Sequence, residues 1–216
     1  MRIQIVKNQQ FSAFDEVFFE KVKSLWHNIK HEDAVEEFTW TCTEGIDPFS
    51  DVYIEIITAQ KLKVGFIPTT EVPIDNQEKI EMQFNELHWI TIDDHSIDHL
   101  DLISKFLLFI MGMVCIPSQM GWFMTDWADL KVALQYGKRA IYISLSEHNV
   151  QSWSDSKTLL SSIMLLNEDL PMNKKLEIAA DLIPRSHLNK DYLAILNITN
   201  SNYLPHSNML LLVYKN

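Results

Sequence analysis

The chain holds five glycines in 216 residues (Gly45, Gly65, Gly112, Gly121 and Gly137), and no two lie close together. Close approach of backbone N–H groups to phosphate needs neighbouring residues without Cβ, so this scarcity excludes a glycine-rich phosphate loop. Cysteine is almost absent. Cys42 and Cys115 stand alone in apolar settings, which suits a reducing cytosol rather than a disulfide framework. Positive charge is also in deficit, with 18 Lys and Arg against 29 Asp and Glu and a formal net charge of −11. That balance argues against nucleic acid, whose phosphates need a dense basic surface, and against anionic membrane surfaces. The longest uncharged apolar run, Phe106 to Ile116, is eleven residues and meets Pro117 at once. It falls well short of the roughly 20 residues that cross a bilayer, so no membrane span is expected. Nucleophile elbows, zinc-binding His pairs with a catalytic glutamate, and phosphate loops are all missing, so an enzyme is not the expected reading.

What is present belongs to a globular protein. Hydrophobic residues make up 47% and charged residues 22%, enough for a buried core in one large domain or two small ones. Met1 to Val6 alternates as a strand, with no signal-peptide core behind it. Phe14, Val17, Phe18, Val22, Leu25, Trp26 and Ile29 recur at helical spacing. A short β-prone run from Phe38 to Cys42 leads into turn residues at Thr43 to Pro48. A helix is expected from Ser50 to Ala59, then strands at Lys63 to Ile67 and His88 to Ile92. From Ser96 to Ile116 the pattern is helical and becomes apolar all round, which marks a helix lying between layers. A further helix is expected from about Thr125 to Tyr136 and a strand from Ala140 to Leu145. Helical segments follow near Ser154 to Leu166 and Met172 to Leu182, with strands at Tyr192 to Thr199 and Asn208 to Tyr214. The expected fold class is α/β, with two α/β layers around a long central apolar helix. The expected division is 1–95, a central helix at 96–117, and 118–216.

The central helix is followed by Asp126-Trp127-Ala128-Asp129-Leu130-Lys131. Gly137-Lys138-Arg139-Ala140-Ile141-Tyr142-Ile143-Ser144 and Leu193-Ala194-Ile195-Leu196-Asn197-Ile198-Thr199 come further on. In this order the three stretches resemble the tubulin/FtsZ family, whose long helix precedes an Asn-x-Asp-Phe-Ala-Asp-Val-Lys loop. The resemblance covers residues 96 to 199, and residues 50 to 95 faintly. It implies a degenerate member, because the stretch matching the family's GTP loop, Thr43 to Asp51, has one glycine, one proline and three acids. Acids beside a triphosphate repel it. The family's asparagine falls at Met124. The resemblance therefore implies a bacterial, cytoplasmic, FtsZ-like protein without GTPase activity or cofactor. It would act through protein contacts in the regulation of cell division, capping filaments of an FtsZ/tubulin-type polymerising partner or meeting copies of itself. Trp122, Met124, Asp126, Trp127 and Asp129 would form the contacting loop face.

The same residues carry plainer readings. Asp126 and Asp129 stand where a helix N-terminus wants acids, as N-cap and third helical residue. Asp94, His95 and His99 are the candidates for an alternative function, a small-molecule-binding protein or enzyme with a cleft at a strand's carboxyl end. His95 and His99 have a helical i, i+4 spacing, but no third ligand accompanies them, so no metal is expected. A self-assembling structural protein is the third expectation.

Overall fold

The computed structural model describes residues 1–6, 24, 39–43, 45–68, 87–95, 102–115, 125–144, 158–167, 169, 171, 173–174, 177, 188–199 and 209–215. Among the described residues nine strands carry the fold: β1 (Arg2–Val6), β2 (Thr39–Thr43), β3 (Val52–Thr58), β4 (Lys61–Phe66), β5 (His88–Asp94), β6 (Arg139–Ser144), β7 (Leu159–Asn167), β8 (Leu188–Thr199) and β9 (Met209–Tyr214). They form one mixed sheet in the order β2-β1-β3-β4-β5-β6-β9-β7-β8. Only β4 and β9 run against the others, so parallel pairs (β1 with β2 and β3, β5 with β6, β7 with β8) alternate with antiparallel ones. The sheet is continuous through β5 and β6, where Ile92 faces Ala140 and Asp94 faces Tyr142.

This sheet overturns the expected architecture. The described residues are mostly strand, not two α/β layers around a long central helix. Among the described residues the helices are short: α1 (Leu102–Ile110), continued by a π-helical turn (Met111–Cys115), and α2 (Trp127–Gln135). The segment expected as a helix at 50–59 is strand β3. Its Val52, Ile54 and Ile56 line one face of the sheet, and β-branched side chains fit a pleated surface better than a helix. Most of the segment expected as a helix at 154–166 is strand β7. Leu159 to Leu166 are buried on both faces of the sheet, and such a strand reads as a continuous apolar run without alternation. Most of the helical pattern from Phe14 to Ile29, in which Ser24 is described and helical, and most of the helix expected at 172–182 lie outside the described residues.

One face of the sheet carries the main core. Ile3, Ile5, Val52, Ile54, Ile56, Leu62, Val64, Ile90, Ile92, Ala140, Leu211, Val213 and Ile163 share it with both helices. The helices lie across the strands rather than along them. The Leu102 N–H donates to Ala59 O in the β3–β4 turn, Lys105 reaches Asp94 at the end of β5, and Phe109 meets Tyr142 of β6 edge-on. Finally the Asn197 Nδ2 of β8 donates to Met113 O. α1 thus crosses the sheet near the carboxyl ends of the parallel strands. α2 crosses it near their amino ends, from Trp127 against Phe66 of β4 to Ala133, whose carbonyl accepts from Ser161 Oγ of β7. The opposite face holds a second core of Leu159, Met164, Leu166, Leu210 and Leu212. No helix among the described residues is long and apolar enough to cross a membrane.

Candidate functional site

The two acids of the expected loop face are engaged with each other. Asp126 is the N-cap of α2, in extended backbone conformation. Its Oδ1 accepts from the Asp129 N–H at 2.9 Å, and Asp129 Oδ2 accepts from the Asp126 N–H at 3.2 Å. This reciprocal capping box satisfies two backbone donors that the first turn leaves open, and it accounts for both carboxylates without a neighbouring subunit. Trp127 is buried, its ring edge-on to Phe66 at 5.8 Å between centroids. Trp122 and Met124 lie outside the described residues.

The second expected cluster divides in the same way. Asp94 closes β5, and its Oδ2 accepts from Lys105 Nζ at 2.6 Å, with the two side chains only 3% and 2% exposed. His95 is exposed, and its N–H donates to Tyr142 O, prolonging the β5–β6 ladder by one bond. His99 lies outside the described residues. The ion pair is enclosed at the carboxyl edge, where open sheets usually meet ligands. Its chemistry in this form is that of a clamp: a desolvated charge on α1 matched to a desolvated charge on the sheet. Among the described residues no three His, Cys, Asp or Glu side chains are grouped to hold a metal ion.

A third arrangement joins the turn expected at Thr43 to Pro48 to a residue that local sequence does not connect with it. The connection from β2 to β3 passes over β1 and is held there by Gln4, a glutamine with no exposed surface. Gln4 Nε2 donates to Thr43 Oγ1 and to Gly45 O, while its Oε1 accepts from the Asp47 N–H at 2.7 Å. A tight turn follows over Asp47-Pro48-Phe49-Ser50. The Ser50 N–H donates to Asp47 O at 3.2 Å and the Phe49 N–H to Asp47 Oδ1 at 3.0 Å. Asp at the first position and Pro at the second are the residues such a turn favours, because proline presets φ and aspartate bonds the backbone two residues on. Tyr53 Oη donates to Asp47 O at 2.9 Å from below. Burial first, then the charges of Asp47 and Asp51, push the Tyr53 hydroxyl pKa above its usual value. At the far end the Asp51 N–H donates to Arg2 O at 2.8 Å, and Asp51 Oδ2 accepts from the Arg2 N–H at 2.7 Å.

This anchored turn displays apolar surface. Phe49 is 66% exposed and Ile46 40% exposed. Of the other large hydrophobic side chains among the described residues, only Tyr136 is exposed to a comparable degree. Two signals for the turn were legible in the sequence, an Asp-Pro-aromatic-Ser string and a glutamine between Ile3 and Ile5. Neither says that the glutamine holds the turn, since 41 residues separate Gln4 from Gly45.

Fold and site together define, among the described residues, a nine-stranded mixed-sheet protein with two short transverse helices and an apolar turn held over β1 by Gln4. A scan against protein-family models and searches of curated proteins and of solved structures find no match.

Proposed function

We propose that this protein works by binding another protein, and that the Asp47–Ser50 turn, with Phe49 and Ile46, is its contact surface. The observation that supports this reading is the pairing of a fully anchored backbone with an outward aromatic side chain. An exposed phenylalanine on a mobile loop would lose conformational freedom on binding. Here the buried amide of Gln4, Pro48, the Asp47 carboxylate and Tyr53 have already removed that freedom, so little ordering cost remains. Large aromatics presented in this way are the usual energetic centres of protein interfaces.

The contact need not be with a filament. Asp126 and Asp129 are each accounted for by the other's backbone N–H, so the filament-capping form of the idea draws no support from them. The open-cleft alternative draws none from Asp94, whose carboxylate is enclosed with Lys105.

The test is site-specific photo-crosslinking in producing cells, with benzoylphenylalanine at position 49 and, as a control, at exposed Thr58. A discrete protein adduct from position 49, absent at position 58 and lost on Ile46→Ser, is the expected result. Equal adducts at both positions, or none at 49, would sink the proposal.

A further inference from the structure

His88 opens β5 at the amino edge of the sheet, at the opposite end of the strand from Asp94. Its ring lies 5.3 Å from Phe66 of β4, tilted by 38°. Its Nε2 is 2.8 Å from Gly137 O, and its Nδ1 is 3.2 Å from Lys138 Nζ. The partners determine the tautomer. A carbonyl oxygen only accepts, so Nε2 carries the hydrogen; an ammonium only donates, so Nδ1 offers its lone pair. Neutral His88 is therefore matched on both sides.

Protonation changes one side and not the other. Nε2 still donates to Gly137 O, but Nδ1 becomes a donor facing a cation. Among the described residues, Lys138 in the α2–β6 turn is the charged group that faces the ring. β4 presents Phe66 to it, α2 presents Trp127 to Phe66, and Arg139 of β6 is paired with Asp93 instead. No described carboxylate is placed to absorb the second charge. The backbone of the turn has no room to respond. A Cβ on Gly137 would meet Val213 Cγ1 at 2.6 Å and Tyr214 O at 2.8 Å, so the turn is pressed against β9. The mobile part is the Lys138 side chain, which is exposed.

We propose that His88 and Lys138 form a pH-sensitive latch, in which neutral His88 seats the Lys138 ammonium and protonated His88 releases it to solvent over an unmoved turn. The energetics of the ring agree with the geometry: burial chiefly, and the Lys138 charge in addition, hold the His88 pKa below its ordinary 6.5, against the opposing bond to Gly137. The consequence is local and specific. Acidification adds a positive charge at the α2–β6 turn and frees a lysine there, on a chain that is otherwise strongly acidic.

The experiment is NMR titration of the full chain between about pH 4 and 8, following the His88 ring and the Lys138 side-chain carbons. The expected result is a His88 midpoint below 6.5, with the Lys138 signals moving at the same midpoint. Lys138→Met should shift the His88 midpoint upward, and His88→Gln should flatten the Lys138 signals across this range. Lys138 signals that ignore the His88 transition would overturn the latch. So would a His88 midpoint that Lys138→Met leaves in place.

Discussion

Lys105 Nζ and Asp94 Oδ2 meet at 2.6 Å between a helix and the carboxyl end of a strand, and neither side chain keeps more than 3% of its surface. Because α1 lies across the strands, it has no ridge-and-groove register with them that would fix where it stops. A buried charge pair supplies such a register, since sliding by one turn would pull the two matched charges apart. Asn197 does the same at the other end through Met113 O.

The pair should therefore be costly to halve and cheap to replace. Lys105→Met or Asp94→Leu alone is expected to destabilise by about 3–5 kcal/mol, because each removes one side of a buried, closely matched charge pair. The double variant should recover most of that loss. Urea denaturation of the three variants measures it, and a double variant no more stable than the singles would refute the clamp.

The α2 cap predicts a smaller effect. Asp126→Ala removes the acceptor for the Asp129 N–H and is expected to cost about 0.5–2 kcal/mol. Asp126→Ser should restore most of it, because a hydroxyl caps as well. A thermal melt in which alanine and serine behave alike would show that the acid does something other than cap.

Three glycines give a graded series. Gly137→Ala places Cβ against Val213 Cγ1 and the Tyr214 carbonyl, which cannot both retreat, and should cost about 1–3 kcal/mol. Gly65→Ala meets the Trp89 ring first, at 2.6 Å, and a half-buried ring can swing aside, so the loss should be smaller. Gly45→Ala meets nothing within 4 Å and should be neutral, or stabilising by up to about 1 kcal/mol. Denaturation midpoints in any other order would contradict the packing described.

Stability should fall at both ends of the pH scale, for different reasons. The folded chain binds a proton at His88 less readily than the unfolded chain. The contribution from neutral His88 is thus complete above pH 6.5 and is lost as pH falls through its lowered folded value. Tyr53 is the reverse case. Its folded pKa lies above 10.0, so its contribution is complete below pH 10.0 and is lost as pH rises through that higher value. His88→Gln should flatten the acid limb of a stability profile, and Tyr53→Phe the alkaline limb. Tyr53→Phe should also lower the plateau by about 1 kcal/mol through the lost bond to Asp47 O.

Local sequence determined a good deal of this protein. Ile3 and Ile5, or Ile90 and Ile92, alternate with polar neighbours and so declare half-buried strands, while Asp126 and Asp129 declare the start of α2 by spacing alone. The scattered placing of its five glycines argues by itself against a glycine-rich phosphate loop. Other features depended on residues far apart in the chain. β3 pairs with β1 and β4, and β7 with β8 and β9; patterning names those partners as strands but not which strand each will pair with. β7 in particular reads as a continuous buried run because β8 and β9 flank both its edges and its side chains enter both cores. Gln4 looks like an ordinary outward residue of a first strand until the β2–β3 connection closes over it. Lys105 looks like the solvated residue of an apolar helix until Asp94 arrives beneath it. Periodicity reports which face of an element is buried, because that is a property of neighbours along the chain. Which element buries it, and which polar groups then need partners, is decided by long-range pairing that only the assembled sheet brings about.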